Sequence, residues 1–285
     1  MQCTLCPREC GADRSGGERG FCGSGILPRV AAAQLHHWEE PCISGMRGSG
    51  TVFFSGCSLG CAFCQNNAIS RDPLRGRETD VDGLRIIFAD LIEQGAHNIN
   101  LVTGSHHADI IAEALSVPLP VPVIWNSSGY ESLETLRLLD GKIDIYLPDF
   151  KYADNALATR FSGINDYYER AEAAVREMYR QTGKYEFCSN GLLKRGVIIR
   201  HLILPGEIQN TLAVTDRIAE LFSNGEVLFS LMSQCTPNGH CPELNSSVTA
   251  EELDAAKLQL YSAKIDGYIQ DLDSAANGYV PKWSD

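Results

Sequence analysis

An α/β fold built from parallel strand–helix units is predicted for this chain of 285 residues, and three observations predict it. Apolar, strand-like runs fall at about 51–56, 98–103, 121–125, 143–148, 197–204 and 226–231. Between them apolar residues recur at helical spacing, as in Leu84, Ile87, Leu91 and Ile92, or Leu133, Leu136 and Leu139. Strands alternating with helices imply parallel pairing, since each helix serves as a crossover. Polar residues close several of these runs, and the C-terminal strand ends are where such folds place chemistry.

Length and composition suit one large domain plus a small module. The formal charge of −12 argues against nucleic acid as the main partner. No apolar run reaches the roughly 18–20 residues that span a bilayer, and Met1 to Cys6 lack the pattern of a signal peptide. Eleven cysteines without a secretion signal then read as metal ligands, not as a disulfide framework. A cytoplasmic protein is expected.

In chain order, residues 1–25 form a Cys-rich metal-binding module. Cys3, Cys6, Cys10 and Cys22 are spaced Cys-x2-Cys-x3-Cys-x11-Cys among glycines that let a short loop wrap an ion. Four thiolates match a closed structural site for zinc or a single iron; an auxiliary cluster or free thiols are the other readings. The segment holds too little apolar material to fold without a metal. Residues 26–266 are assigned to the barrel-forming domain. Its first part carries His36, His37, Glu39 and Glu40, which resemble a metal site, although an alternating strand explains them equally well. Asp82 and Thr249 are expected helix caps, with Glu252 completing a capping box. The stretch 153–190 exceeds a plain crossover, and its tyrosines read as core or cover. Residues 267–285 are expected to form an irregular tail.

The organising stretch is Thr51 to Ser70, where Cys57, Cys61 and Cys64 follow a strand at the spacing Cys-x3-Cys-x2-Cys. Such a loop suits a soft metal centre, and iron–sulfur clusters are held by thiolates. Three ligands leave one iron of a four-iron cluster open. Cys57-Ser58-Leu59-Gly60-Cys61-Ala62-Phe63-Cys64 resembles the signature of the radical S-adenosylmethionine (radical SAM) enzymes, including the aromatic Phe63 before the last cysteine. The resemblance implies a partial (β/α)6 barrel, a [4Fe-4S] cluster on Cys57, Cys61 and Cys64, and SAM chelated at the open iron. It implies reductive cleavage of SAM to a 5′-deoxyadenosyl radical that abstracts hydrogen.

Beyond that loop the chain resembles the subgroup related to the activating enzyme of pyruvate formate-lyase, over 98–103, 126–130, 147–151 and 200–206. Residue by residue, this implies SAM contacts from Arg200, from Asp149 and Lys151 as an Asp-x-Lys element, and from Asn126 and Ser127 near the sulfonium. Gln234 falls where activases place a histidine near the adenosine. Thr103, Gly104 and Ser105 stand where activases carry Gly-Gly-Glu; Gly104 keeps the close backbone approach and the hydroxyls remain, but the carboxylate is absent. Cys235 and Cys241, near His240, suggest a redox-active or substrate-facing thiol, and Cys42 and Cys188 read as structural or incidental. The leading function is a radical SAM oxidoreductase supplied by a flavodoxin or ferredoxin, activating a glycyl-radical enzyme. The alternatives are modification of a peptide or small molecule and, from another class, a non-catalytic iron–sulfur electron carrier.

Overall fold

The six predicted strands form the middle of one ten-stranded sheet. The computed structural model describes residues 2–237 and 239–272. Its strands are β1 (Arg29–His36), β2 (Ser49–Phe54), β3 (Arg77–Glu78), β4 (Ile99–Val102), β5 (Val123–Ser127), β6 (Ile145–Pro148), β7 (Glu186–Phe187), β8 (Leu193–Leu202), β9 (Leu228–Met232) and β10 (Gly267–Ile269). Strands β2, β4, β5, β6, β8 and β9 pair in parallel in that order. β1 lies antiparallel on β2, with β3 beyond it, while β10 adds to β9. The edge strands β3 and β10 do not pair with each other. The result is a partial barrel preceded by a Cys-rich segment, as predicted.

The helices are α1 (Pro41–Ser44), α2 (Asn67–Ser70), α3 (Val81–Glu93), α4 (Ala108–Ala114), α5 (Leu133–Leu138), α6 (Asn155–Ser162), α7 (Tyr167–Thr182), α8 (Ile208–Leu221) and α9 (Ala250–Ala263). The long ones bury one apolar stripe on the outer face of the sheet, where Leu84, Phe88 and Leu91 of α3 join Val52 and Phe54 of β2 in one core. Thr249 and Glu252 form the expected capping box on α9. On α3 the cap is Asp80, whose carboxylate accepts from the Gly83 amide at 2.8 Å. Asp82 lies one residue inside the helix, already in its first turn, so it cannot reach back to that amide.

Inside the barrel, strand alternation builds layers. Ile124, Ile145, Ile198 and Leu228 form an apolar floor with Cys42 and Ile43 of α1. That short helix starts with Pro41, whose missing N–H costs nothing at a first turn. It is bolted on by Asn98, which donates to the Ile43 carbonyl at 2.8 Å and accepts from Ser49 at 2.5 Å. Two residues further along the same inner faces come Asn100, Asn126, Arg200 and Ser230, a polar layer. Cys42 is thus part of a plug, while Cys188 is exposed.

The tail expectation is corrected at its start. Gly267–Ile269 is a strand, because Asp266 O and Gln270 N complete the free edge of β9 through Phe229 N and Leu231 O, each at 2.9 Å. The remainder of the expected tail, 273–285, lies outside the described residues. No helix among the described residues is long and apolar enough to cross a membrane. Ile43 is fully buried in the floor, so Ile43→Ala should lower stability by about 2–5 kcal/mol. Urea denaturation followed by circular dichroism measures this, and an unchanged midpoint would show that α1 does not plug the barrel.

Candidate active site

Strand β2 leads directly into the cysteine loop. Gly56 begins it with φ +81, and a Cβ there would stand 2.5 Å from the Cys22 carbonyl, so the N-terminal module packs straight onto the loop. Cys57, Cys61 and Cys64 line a cavity of about 190 Å³ that opens to solvent. Burial, reinforced by the neighbouring Cys61 and Cys64, pushes the Cys57 thiol up to about 12. Burial also raises Cys61, against the pull of Lys151. The Leu59 amide and the Ser70 hydroxyl donate to Cys57 Sγ and Cys64 Sγ, each at 3.4 Å.

Cys57 and Cys61 are poor anions alone, and all three thiols, two of them met by an amide or hydroxyl donor, are good ligands to a soft cation. Among the described residues no His, Cys, Asp or Glu group is gathered tightly enough to hold a single metal ion. By the chemistry of their donor set, three thiolates with an amide and a hydroxyl aimed at them fit an iron–sulfur cluster.

The same cavity is lined by a largely buried charge network. Arg200 donates from Nε to Asp149 (3.1 Å), from one terminal nitrogen to Glu39 (3.2 Å) and from the other to Asn126 (2.6 Å). Lys151 Nζ donates to Asp149 at 2.6 Å and lies 5.8 Å from the centre of the Phe63 ring. Burial alone would discharge Asp149, but Lys151 and then Arg200 hold its carboxyl below the usual range. Burial likewise opposes the Lys151 charge, and Asp149 outweighs it, raising Lys151 above its ordinary value. Tyr167 braces this strand end by accepting from the Lys151 amide at 2.9 Å and contacting the Ser128 and Asp149 carbonyls at 2.8 and 3.0 Å.

Of the residues singled out from the sequence, Phe63, Thr103, Asn126, Ser127, Asp149, Lys151, Arg200 and Gln234 line the cavity with the three cysteines. Thr103 does so at φ +61, a left-handed conformation rare for a branched residue. Gly104 and Ser105 do not line it. A Cβ on Gly104 would meet Ile111 and Trp125 within 3.1 Å, so its bare face serves packing behind the sheet. Ser105 donates to Glu131 at 2.5 Å, also behind the sheet. Cys235 and Cys241 sit within the apolar core, and burial pushes Cys235 up to about 11, which makes it a poor nucleophile.

Sequence reasoning weighed Glu39 only as part of a metal-like cluster and missed its place in this cavity. Its carboxylate enters from the plug and accepts from Asn100 at 2.9 Å as well as from Arg200. Burial raises its pKa, opposed by Arg200. A readable signal existed: an acid two residues before a helix-starting proline. His36 and the half-exposed Trp38 line the same cavity, as does Met232 from the opposite strand edge, so the cavity opens through the unclosed side of the barrel.

In the N-terminal module Cys3 and Cys10 are hydrogen-bonded, and Cys22 influences both Cys3 and Cys6, so all four thiols share one neighbourhood. Burial works against the Cys10 thiolate, yet the amides of Ala12 and Phe21 and the charge of Arg14 hold its pKa below the usual value.

No protein-family model matches the chain. An uncharacterized protein of Methanocaldococcus jannaschii is 28% identical over 278 residues, covering 89% of this chain and 72% of that protein. Among solved structures, a radical SAM methyltransferase from Sphaerobacter thermophilus superposes with a TM-score of 0.55 at 15% identity, over 81% of this chain and 70% of the other. A spore photoproduct lyase variant gives a TM-score of 0.53 at 11% identity, over 84% and 79%. The barrel is therefore the one used by radical SAM enzymes.

Glu131 offers a pH test of the layer behind the site. Burial lifts its pKa from 4.5 to about 7, despite donors on Ser105, Ser127 and Trp125. The fold favours the protonated form, so this penalty is absent below about pH 4.5 and grows until pH passes about 7. Relative to Glu131→Gln, the wild type should lose on the order of 3 kcal/mol between pH 5 and 8. Denaturation of both proteins across that range measures it; a pH-independent difference would place the proton elsewhere.

Proposed function

We propose that this protein is a radical SAM enzyme. The observation that carries the reading is one cavity lined both by Cys57, Cys61 and Cys64 and by the Arg200–Asp149–Lys151 network. Cys57, Cys61 and Cys64 would hold a [4Fe-4S] cluster. Such a cluster, once reduced by an electron carrier of the flavodoxin or ferredoxin class, supplies the electron that cleaves the SAM sulfonium to methionine and a 5′-deoxyadenosyl radical.

The chain's own residues bind and orient. Each terminal nitrogen of Arg200 spends one N–H on the protein and keeps another for a ligand carboxylate. Lys151 stands close to Cys61, where its charge offsets that of the thiolates. Glu39 contributes a carboxylate to this cavity, the group lacking from 103–105. The apolar floor and the α1 plug keep solvent from entering below, so a substrate arrives from the open side, past Trp38 and Met232.

On the substrate, we favour a glycine-bearing segment of a partner glycyl-radical enzyme, because the strand-end residues Asn126, Asp149, Lys151 and Arg200 all face the cavity as the activase likeness implies. Radical modification of a peptide or small molecule is the second reading, favoured by the buried carboxylates on the floor. Cys3, Cys6, Cys10 and Cys22 would hold a second centre, zinc, iron or an auxiliary cluster. The electron-carrier reading leaves the Arg200 network without a task.

Two experiments test this. Anaerobically reconstituted protein given dithionite and SAM should form 5′-deoxyadenosine; the Cys57/Cys61/Cys64 triple alanine variant should form none, lose its cluster absorbance and still retain metal at the N-terminal module. A wild-type protein that binds a cluster but leaves SAM intact would be a carrier. Separately, Arg200→Lys keeps the charge and loses the planar fork. It should weaken SAM binding about ten- to a hundredfold, or about 1.5–3 kcal/mol, at full cluster content. Calorimetry reads this directly, and an unchanged affinity would put Arg200 outside the SAM pocket.

A further inference from the structure

Four consecutive carbonyls link the first two cysteines of the loop, and all four accept from guanidinium groups. Arg8 Nε donates to the Ser58 carbonyl at 2.5 Å, and Arg8 Nη2 donates to that of Leu59 at 3.1 Å. Arg71 donates to those of Gly60 and Cys61 at 3.4 and 3.3 Å. With its carbonyls turned outward, the loop turns amides inward, and the Leu59 N–H reaches Cys57 Sγ. Arg8 stands between Cys6 and Cys10 of the N-terminal module. Its guanidinium stacks 3.3 Å from the centre of the Phe21 ring, which in turn lies over Gly60, 3.4 Å from where a Cβ there would stand. A further bond from Arg8 to the Ser162 carbonyl at 3.4 Å joins the loop to α6.

We propose that the N-terminal module is the outer half of the cluster site, with Arg8, helped by Arg71, positioning the Cys57–Cys64 loop and setting the reduction potential of the group bound there. This inference rests on the radical SAM reading above. Hydrogen bonds toward the sulfurs and nearby positive charge both stabilise the reduced, more negative state of an iron–sulfur cluster. A planar fork that meets two successive carbonyls and stacks on a ring is a geometry lysine cannot reproduce. The module also has a reason to be metal-bound: ligating Cys6 and Cys10 would fix the turn that aims Arg8.

The test uses full-length, anaerobically reconstituted protein with iron and sulfide content matched between samples. Arg8→Gln should shift the midpoint potential to more negative values and change the paramagnetic resonance line shape of the reduced cluster. Cys6→Ser, which loosens the turn without touching the loop, should shift the potential in the same direction. Arg8→Lys should recover part of the potential and not the line shape. Wild-type potential and line shape in Arg8→Gln at full cluster content would overturn the proposal. Should Arg8→Gln fail to load, Arg71→Gln carries the same prediction and the same refutation. A wild type whose reduced signal does not respond to SAM refutes instead the functional reading beneath it.

Discussion

A guanidinium buried inside a barrel has to be paired, and much of this architecture follows from Arg200. Desolvation opposes its charge, and Asp149, Glu39 and Glu40 hold the proton in place. Its donors reach β5 through Asn126, the end of β6 through Asp149, and the plug through Glu39. One side chain thereby couples strands that are far apart in sequence with the segment that closes the floor. Removing one partner of such a network leaves a buried charge uncompensated, which costs more than the pair contributes. That asymmetry suits a site needing fixed geometry more than it suits a device for stability.

The thiols of the same cavity pose the complementary problem. Cys57 and Cys61 are buried enough that ionisation is disfavoured, yet metal ligation requires it. Lys151 supplies a positive charge toward Cys61, and the loop turns an amide toward Cys57. The cavity is thus bounded by thiols that Lys151 offsets only in part and by an ion network that is nearly balanced. A ligand bearing both charges, as an amino acid does, can exchange partners with the network without leaving any group bare.

How far this was legible in the sequence depended on whether a residue's role is set locally or by distant packing. The parallel strands, the capping box at Thr249 and the placement of Asp149, Lys151 and Arg200 followed from periodicity, local hydrogen-bonding capacity and family likeness. Glu39 was obscured because its function arises only when the segment after β1 folds back under the barrel; linearly it is one acid in a polar run. Gly104 and Ser105 misled for the opposite reason. They sit at a strand end, where chemistry is expected, but the left-handed turn at Thr103 sends the following residues behind the sheet toward Trp125 and Glu131. The edge strand at Gly267 was invisible because its partner, β9, supplies the reason for it.

The arginines outside the loop and the one inside the barrel divide the work by depth. Arg8 and Arg71 bind only carbonyls there, neutral acceptors that cost little to desolvate and that turn peptide dipoles toward the sulfurs. Arg200 binds carboxylates in a largely buried setting, so its fork must stay matched to anionic partners. The outer pair acts on where the cysteines stand, and the inner one on what lies against them. A chain that placed lysines at these positions would keep its formal charge, yet hold neither the loop nor the floor in register.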